Sequence, residues 1–357
     1  MKNKEVRILI LPGAHFSPSA RFRLHQFVPL LRNHYDITVR VPIPDRELKT
    51  KTKGLLNWDK VHSRISQMTR LITTFWIFRD IKSFDLVITN RDVVPDIKVF
   101  YFERRINRRK IPLIVDIDDA VFLGNRKEKM DYVFSCASQI IVGNEYLKSY
   151  TDKFTNSLII PTVVDTDKFV PKALIDTDGL VRIGWSGSDQ TARRYLPLMF
   201  NVFSNLVGKY KAKVRFLIVS NTMPEVPETL LEFIDFEPWS EVNEPFLIKK
   251  MDIGIMPLFD NEFERGKCGL KLLEYMSVSI PVLASPVGVN SKIVEHGASG
   301  YLCENEEDWI KYLSLLIENP DLRLKLGRHG RARVESEYSL VKAADQWVHV
   351  IDSILNK

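Results

Sequence analysis

One run of residues in the second half of the chain has the composition of a phosphate-binding turn. It spans Arg265 to Met276 and reads RGKCGLKLLEYM. Its glycines permit a ligand to approach the backbone closely, and Lys267 and Lys271 supply positive charge for a diphosphate. Glu274 would lie one turn inside the following helix, where its carboxylate could accept hydrogen bonds from ribose hydroxyls. The alternative is a capped amphipathic helix with exposed lysines, but that leaves Glu274 on the buried side unexplained.

A second turn with similar chemistry spans Gly184 to Asp189 and reads GWSGSD. Its small residues let the backbone approach a ligand, and a helix is expected to begin directly after it. A helix N-terminus together with Arg193 and Arg194 suits a phosphate. The alternative is a plain strand-to-helix turn with solvated arginines.

The first predicted strand also ends in a glycine-containing turn, PGAHFSPSA, from Pro12 to Ala20. Gly13 brings backbone N–H groups toward a ligand, and Ser19 is expected to cap the following helix and leave its N-terminus available to an anion. The pattern is neither a G-x-G-x-x-G nor a P-loop. Two interpretations of His15 stay open, namely a ligand contact and a surface loop histidine.

Three carboxylates end the fourth predicted strand, at Asp116, Asp118 and Asp119. Such a cluster is costly to hold together unless it faces water, a cation or a hydroxyl-rich ligand. We expect contacts to ligand hydroxyls, with one carboxylate available as a base. Helix capping by Asp118 or Asp119 is the alternative.

Two sets of apolar, β-rich runs alternate with stretches of helical periodicity, which predicts parallel sheets built from βαβ units. The first set comprises Val6–Leu11, Ile37–Val41, Asp85–Thr89, Leu113–Val115, Ile140–Val142 and Leu158–Ile160. The second set comprises Val181–Trp185, Val214–Val219, Phe233–Phe236, Ile253–Met256, Val282–Ala284 and Tyr301–Leu302. The chain is therefore expected to be an α/β protein with two Rossmann-like domains facing a central cleft, where ligands bind at the carboxyl ends of the strands.

The expected domain limits follow from this repetition of the pattern. We predict an N-terminal domain at residues 1–168, a linker at 169–180, a C-terminal domain at 181–338, and a last helix at 339–357 that packs back on the N-terminal domain. The linker is inferred because Val170 to Gly179 has little apolar periodicity and contains a proline and a glycine.

Composition indicates a cytoplasmic globular protein. Among 357 residues, 45% are hydrophobic and 27% are charged, as is typical of soluble domains. The first apolar run is short and lacks a cleavage site, and no stretch approaches the roughly 18 apolar residues of a membrane span. Cys136, Cys268 and Cys303 are scattered, so we expect neither a disulfide framework nor a metal-ligand cluster.

Positive charge is concentrated in the first half of the chain. Residues 1–165 carry 28 Lys and Arg against 18 Asp and Glu, a net of +10, whereas the whole chain has a net charge of +6. A basic amphipathic stretch from Leu55 to Ile81 and a cluster of arginines from Arg104 to Lys110 contribute to this excess. An anionic membrane surface or a phosphate-linked substrate would match it. The alternatives are a merely soluble basic surface and a helix packed on the first sheet.

The run from Gly269 to Gly288, GLKLLEYMSVSIPVLASPVG, resembles the donor-site helix and following strand of a large family. This is the retaining GT-B glycosyltransferase family (group 1, family 4 type), which includes sucrose synthase, bacterial phosphatidylinositol mannosyltransferases and many enzymes of cell-surface polysaccharide synthesis. Ile159 to Phe169 resembles the hinge motif of that family, and Ser299 to Leu302 also fits its pattern.

The resemblance implies a GT-B fold and a nucleotide-diphosphate-sugar donor held mainly by the C-terminal domain. It also implies a glycan or lipid-linked acceptor on the N-terminal domain, and metal-independent transfer with retention. No metal, no other cofactor and no nucleic-acid partner is expected, since the donor is itself a substrate.

Residue patterns and resemblance together predict three groups of site residues. The predicted catalytic residues are Asp118, Asp119 and Glu264. The predicted donor-binding residues are Gly13, Ser186, Gly187, Ser188, Arg193, Arg194, Lys267, Cys268, Gly269, Lys271 and Glu274. The predicted acceptor-binding residues are His15, Arg21 and Arg23.

The sequence departs from the family motif at one glutamate. The usual motif carries two glutamates separated by seven residues; Glu274 matches the second, but Gly266 stands at the first position. Either Glu262 or Glu264 substitutes from nearby, or the lysines of the turn reshape the site, or the enzyme is impaired. The usual N-terminal histidine near the sugar also lacks an obvious match.

Two other functions share this architecture. A nucleotide-sugar 2-epimerase would use the same diphosphate pocket but would need no acceptor surface. A non-catalytic binding protein could have lost the first glutamate. The basic, Trp-containing N-terminal segment favours a transferase.

Overall fold

The computed structural model describes residues 6–13, 17–41, 75, 78–93, 100–172 and 179–355. It divides into two compact units. The first comprises Met1–Pro161 and Val341–Lys357, and the second comprises Thr162–Leu340. Three parts of the sequence predictions lie outside the described residues. They are the predicted site residue His15, residues 55–74 and 76–77 of the amphipathic stretch, and residues 173–178 of the predicted linker.

A six-stranded parallel sheet forms the centre of the first unit, with strand order β2-β1-β3-β4-β5-β6. Its strands are β1 (Arg7–Leu11), β2 (Asp36–Val39), β3 (Leu86–Asn90), β4 (Leu113–Ile117), β5 (Gln139–Val142) and β6 (Leu158–Ile159). Residues of β3 and β4 are buried along their whole length, because helices cover a parallel sheet on both faces. The α-helices of this part of the chain are α1 (Pro18–Arg23), α2 (Val28–Leu31), α3 (Tyr101–Arg108), α4 (Lys127–Cys136) and α5 (Glu145–Thr151).

The second unit has a six-stranded parallel sheet of order β12-β11-β10-β7-β8-β9, the order of a doubly wound Rossmann sheet. Its strands are β7 (Val181–Ser186), β8 (Val214–Ser220), β9 (Ile234–Pro238), β10 (Ile253–Met256), β11 (Val282–Ala284) and β12 (Gly300–Leu302). Its α-helices are α6 (Asp189–Tyr195), α7 (Phe200–Tyr210), α8 (Glu244–Lys249), α9 (Glu262–Arg265), α10 (Leu270–Ser277), α11 (Asn290–Ile293), α12 (Glu306–Glu318) and α13 (Pro320–Glu337).

The last helix, α14 (Leu340–Leu355), packs with the first unit. The ring of Trp347 on this helix lies 6.1 Å from that of Phe27. The hydroxyl of Tyr35 donates a hydrogen bond of 2.8 Å to the carboxylate of Asp352. An apolar stripe with one polar anchor therefore holds α14 on its unit.

The predicted α/β class with two Rossmann-type sheets is confirmed, and every predicted strand is present with ends that move by at most two residues. One local expectation is wrong. Ser17, not Ser19, caps α1, and its side chain accepts the N–H of Ala20. Pro18 takes the first helical position, where its missing N–H costs no hydrogen bond, so the helix begins before Ser19. The predicted domain limits at 168, 180 and 338 stay predictions.

Candidate functional site

The sheet of the second unit has a switch point where ligands of such sheets bind. Strand β7 has β8 on one side and β10 on the other, so the segments that follow β7 and β10 leave the sheet on opposite sides. The two turns predicted to bind phosphate follow these strands. The tertiary structure therefore brings together residues that are some 80 positions apart in sequence.

The turn after β7 requires a glycine. A Cβ at Gly187 would lie 2.6 Å from the ring of Trp185 and 2.7 Å from Oγ1 of Thr191. Ser188 then caps α6, since its side chain accepts the N–H of Thr191. Ser186 is buried at the end of β7, where its N–H donates to the hydroxyl of Tyr275 at 2.8 Å.

The turn before α10 also depends on a glycine. Gly269 has a φ of 70°, in the left-handed region, and a Cβ there would lie 2.2 Å from Cδ1 of Ile293. This turn starts α10, which carries Lys271 in its first turn. The Nζ of Lys271 lies 5.3 Å from the centre of the Trp185 ring, beside the turn after β7. The predicted donor residues Ser186, Gly187 and Lys271 thus share one edge of the sheet.

Lys267, Cys268 and Glu274 lie on the same segment but in different surroundings. The Nζ of Lys267 lies 4.8 Å from the centre of the Phe263 ring. Cys268 is 8% exposed and Glu274 is 3% exposed. The burial of Glu274 shows that this carboxylate does not sit on the solvated face of an ordinary amphipathic helix.

Glu264 is fully buried after β10 and is paired with α6. Its Oε1 accepts hydrogen bonds from Nε of Arg194 at 2.7 Å and from the hydroxyl of Tyr195 at 2.9 Å. Its Oε2 has no hydrogen-bond partner among the described residues. Asn261 positions Glu264 by capping α9, since its side chain accepts the N–H groups of Phe263 and Glu264.

This pairing changes the interpretation of Arg194. The sequence predicted a phosphate contact for it, but its guanidinium neutralises a buried carboxylate on the neighbouring element. The adjacent Arg193 is exposed on α6. Spacing could not reveal the pair, because the two partners are 70 residues apart.

In the first unit, Arg23 is at odds with the acceptor contact predicted for it. Its guanidinium is buried and donates to the carboxylate of Asp116 from Nη2 at 2.6 Å and to the carbonyl of Ile160 from Nη1 at 2.8 Å. Asn90 also donates to Asp116, at 3.2 Å. Burial raises the pKa of Asp116 above its ordinary value, although the charge of Arg23 opposes this shift. The guanidinium of Arg23 thus compensates a buried carboxylate, and its predicted acceptor contact stays a prediction.

The other two carboxylates of this strand end are bridged by Arg91, which sequence reasoning missed. Its Nη2 donates to Asp118 at 3.0 Å and to Asp119 at 2.8 Å, and its φ of 64° is unusual for a residue other than glycine. Burial alone would raise the pKa of Asp118, but the charge of Arg91 and the hydrogen bond from Ser19 outweigh it and hold the pKa below its ordinary value. Asp118 is therefore a weak base and a good hydrogen-bond acceptor.

The remaining predicted residues of the first unit are near the end of β1. Gly13 has a φ of 79°, which agrees with a turn that only glycine forms readily. The guanidinium carbon of Arg21 lies 5.0 Å from the centre of the Phe22 ring, and the residue is 6% exposed. No helix among the described residues is both long and apolar enough to cross a membrane.

Comparisons with known proteins show which family the second unit resembles. Residues 181–319 match the family model for glycosyl transferases group 1, which confirms the family resemblance found in Gly269 to Gly288. An uncharacterized glycosyltransferase of Haemophilus influenzae is 34% identical over 85 residues, which are 23% of this chain and 24% of that protein. The D-inositol 3-phosphate glycosyltransferase of Pseudarthrobacter chlorophenolicus is 24% identical over 168 residues, 46% of this chain and 36% of that one. The chain thus matches about a quarter to a third of the length of these relatives.

Solved structures resemble the chain over almost its whole length. Sucrose-phosphate synthase of Thermosynechococcus elongatus has a TM-score of 0.72 at 13% identity, covering 98% of this chain and 99% of that one. Anabaena HepE in complex with UDP and glucose has a TM-score of 0.66 at 12% identity, covering 98% and 100%. At these identities the likeness concerns the fold, and it confirms the predicted GT-B class.

Proposed function

We propose that this chain, whose residues 181–319 match the glycosyl transferases group 1 model, is a glycosyltransferase that uses a nucleotide-diphosphate-sugar donor. The acceptor is a glycan or a lipid-linked glycan, in cell-surface polysaccharide synthesis. Transfer proceeds with retention and without a metal ion. The observation that carries the proposal is the position of Lys271 beside the Ser186–Gly187 turn at the switch point of the second sheet.

The proposed donor site has three parts. Lys271 and Lys267 hold the diphosphate through their ammonium groups. The glycines of the adjacent turns let backbone N–H groups approach the same phosphate oxygens. Glu274, buried on α10, accepts hydrogen bonds from the ribose. The structural neighbour HepE was solved with UDP and glucose, which supports a UDP-sugar as the first donor to test.

Glu264 is the proposed contact to the donor sugar in place of Gly266. Its Oε1 is engaged by Arg194 and Tyr195, whereas its buried Oε2 has no hydrogen-bond partner among the residues described. A buried carboxylate oxygen without a donor is costly, and a sugar hydroxyl would satisfy it. The role is therefore to hold the sugar rather than to move a proton.

Asp118 and Asp119 are proposed to orient the acceptor. Arg91 bridges both carboxylates, and it lowers the basicity of Asp118. Carboxylates in this state accept hydrogen bonds from hydroxyls better than they abstract protons. His15 and Arg21 remain proposed acceptor contacts, and the side chain of Arg23 acts through Asp116.

We also propose that the protein works at the cytoplasmic face of the membrane. The support is the net charge of +10 over residues 1–165, together with the exposed Tyr101, Arg104 and Arg108 on α3. Each basic residue near an anionic surface contributes about 1 kcal/mol to attachment.

The test is a two-step assay on the full chain. Nucleoside diphosphates are first screened for an increase in Tm, because a ligand specific to the folded state stabilises it by mass action. The matching nucleotide sugars are then incubated with and without lipid-linked glycan, and sugar transfer is measured. Failure of UDP, GDP and ADP alike to bind would refute the donor site. Binding without transfer would indicate a non-catalytic protein, and turnover that needs no acceptor would indicate an epimerase.

A further inference from the structure

The phenol of Tyr275 joins α10 to the end of β7. Tyr275 is fully buried on α10, one helical turn after Lys271, so the two side chains lie on the same side of the helix. Its ring passes over β10 at Gly254, where a Cβ would lie 2.4 Å from the ring. The missing Cβ allows the phenol to reach across β10 to Ser186 on β7.

Two hydrogen bonds are possible between Tyr275 and Ser186, and the available donors and acceptors indicate their directions. The N–H of Ser186 donates to the Tyr275 oxygen at 2.8 Å, and the two hydroxyl oxygens lie 3.2 Å apart. Ser186 Oγ is the one acceptor that the described residues offer to the Tyr275 hydroxyl. If the Tyr275 hydroxyl donates to Ser186 Oγ, the hydroxyl hydrogen that has no internal acceptor belongs to Ser186. This direction is favoured because Ser186 is 6% exposed, whereas Tyr275 is 0% exposed.

We propose that Tyr275 is a positioning residue that fixes Ser186 as a hydrogen-bond donor toward an anionic oxygen of the donor diphosphate. With its N–H and one Oγ lone pair engaged by Tyr275, the Ser186 side chain has its own O–H left to donate. Lys271 lies against Trp185, the neighbour of Ser186 on β7, so a phosphate held by Lys271 would be within the same turn. This inference rests on the proposed donor site.

The burial of Tyr275 supports the assignment of the hydrogens. Burial raises the pKa of the phenol above its ordinary value, so Tyr275 is protonated at neutral pH. The hydroxyl can therefore serve as a donor to Ser186 Oγ. A phenylalanine at this position would keep the ring over Gly254 but would leave the orientation of the Ser186 hydroxyl free.

The experiment is a double-mutant cycle read by calorimetric titration with UDP, or with GDP or ADP if one of these stabilises the fold more. Tyr275→Phe and Ser186→Ala are each expected to raise the Kd about three- to tenfold, which is the loss of one hydrogen bond. In the Ser186→Ala background, Tyr275→Phe should raise the Kd less than it does in wild type. Tyr35→Phe, which removes a buried hydroxyl from the first unit, is the matched control and should leave the Kd unchanged.

Equal effects of Tyr275→Phe in both backgrounds would overturn the inference, as would an unchanged Kd in either single variant. The donor site would then stand, provided that wild type binds and Lys271→Ala binds more weakly. If wild type binds no nucleoside diphosphate, the donor site and this inference fail together. Ser186→Ala removes only a hydroxyl at the end of a strand, so this variant is expected to fold. Its Kd therefore tests the inference even if Tyr275→Phe lowers the Tm.

Discussion

Lys271 and Trp185 meet across the two elements that form the proposed donor site, with Nζ 5.3 Å from the ring centre. Trp185 is 2% exposed and belongs to β7, whereas Lys271 belongs to the first turn of α10. A cation over an aromatic face is attracted to the ring. The ammonium group of Lys271 therefore lies beside the turn that is proposed to receive a phosphate.

Replacing Lys271 with alanine should weaken nucleoside diphosphate binding by about 1.5 to 3 kcal/mol, which is the usual range for a hydrogen bond to a charged group. Calorimetric titration gives the change directly. Lys311→Ala is the matched control, because this lysine also lies over an aromatic ring but belongs to α12, which is not part of the proposed site. Equal affinity of Lys271→Ala and wild type would remove Lys271 from the site.

Glu274→Gln should weaken donor binding and lower turnover only through that loss. The amide keeps the size of the buried side chain but is a poorer acceptor of ribose hydroxyls than the carboxylate. The Kd and the turnover at saturating donor separate the two effects. A variant with normal affinity and abolished turnover would contradict the ribose role.

Arg194→Ala should lower stability rather than phosphate affinity. It leaves the fully buried carboxylate of Glu264 with the hydroxyl of Tyr195 as its donor, and an uncompensated buried charge of this kind costs about 1 to 3 kcal/mol. Denaturant unfolding measures the loss. Arg193→Ala, which removes the neighbouring exposed arginine of the same helix, is expected to stay within about 0.5 kcal/mol of wild type. If Arg194→Ala instead unfolds like wild type and binds UDP poorly, the arginine contacts phosphate.

Arg91→Ala should destabilise the first unit by about 1 to 3 kcal/mol at neutral pH, because Asp118 and Asp119 lose the cation that bridges them. The pKa of Asp118 is lower in the folded state than in the unfolded chain. Its ionised carboxylate therefore adds to the free energy of unfolding above the unfolded-state pKa, and this stabilisation is lost as the pH falls through the folded-state pKa. The difference between variant and wild type should therefore shrink on acidification. Unfolding curves at several pH values check this, and a difference that grows toward acid pH would refute it.

Sedimentation with vesicles tests the proposed membrane attachment. The full chain should sediment with vesicles that contain anionic lipid and not with neutral ones. Salt should release it, since the screening length falls to about 8 Å at physiological ionic strength. Substitution of Arg104 and Arg108, both exposed on α3, by glutamine should reduce binding. Absence of binding to both kinds of vesicle at low salt would leave a soluble acceptor.

Local sequence determined the strands, the two parallel sheets and the motif that begins helix α10. Short apolar runs next to a proline, such as those beside Pro257 and Pro281, favour buried strands, and β10 and β11 were predicted to the residue. Gly269 and Gly187 were identified because turns that approach a ligand or adopt a positive φ demand glycine. Such features depend on neighbours within a few residues.

Only the tertiary structure decided which charged side chains neutralise one another. Arg23 pairs with Asp116 across 93 residues, and Arg194 pairs with Glu264 across 70. These partners meet because β1, β3 and β4 are neighbours in one sheet and β7 and β10 in the other. Strand order is a property of the whole unit and cannot be read from a few neighbouring residues. For this reason, only the assembled sheets could show that an arginine expected to contact a ligand is paired with a buried carboxylate.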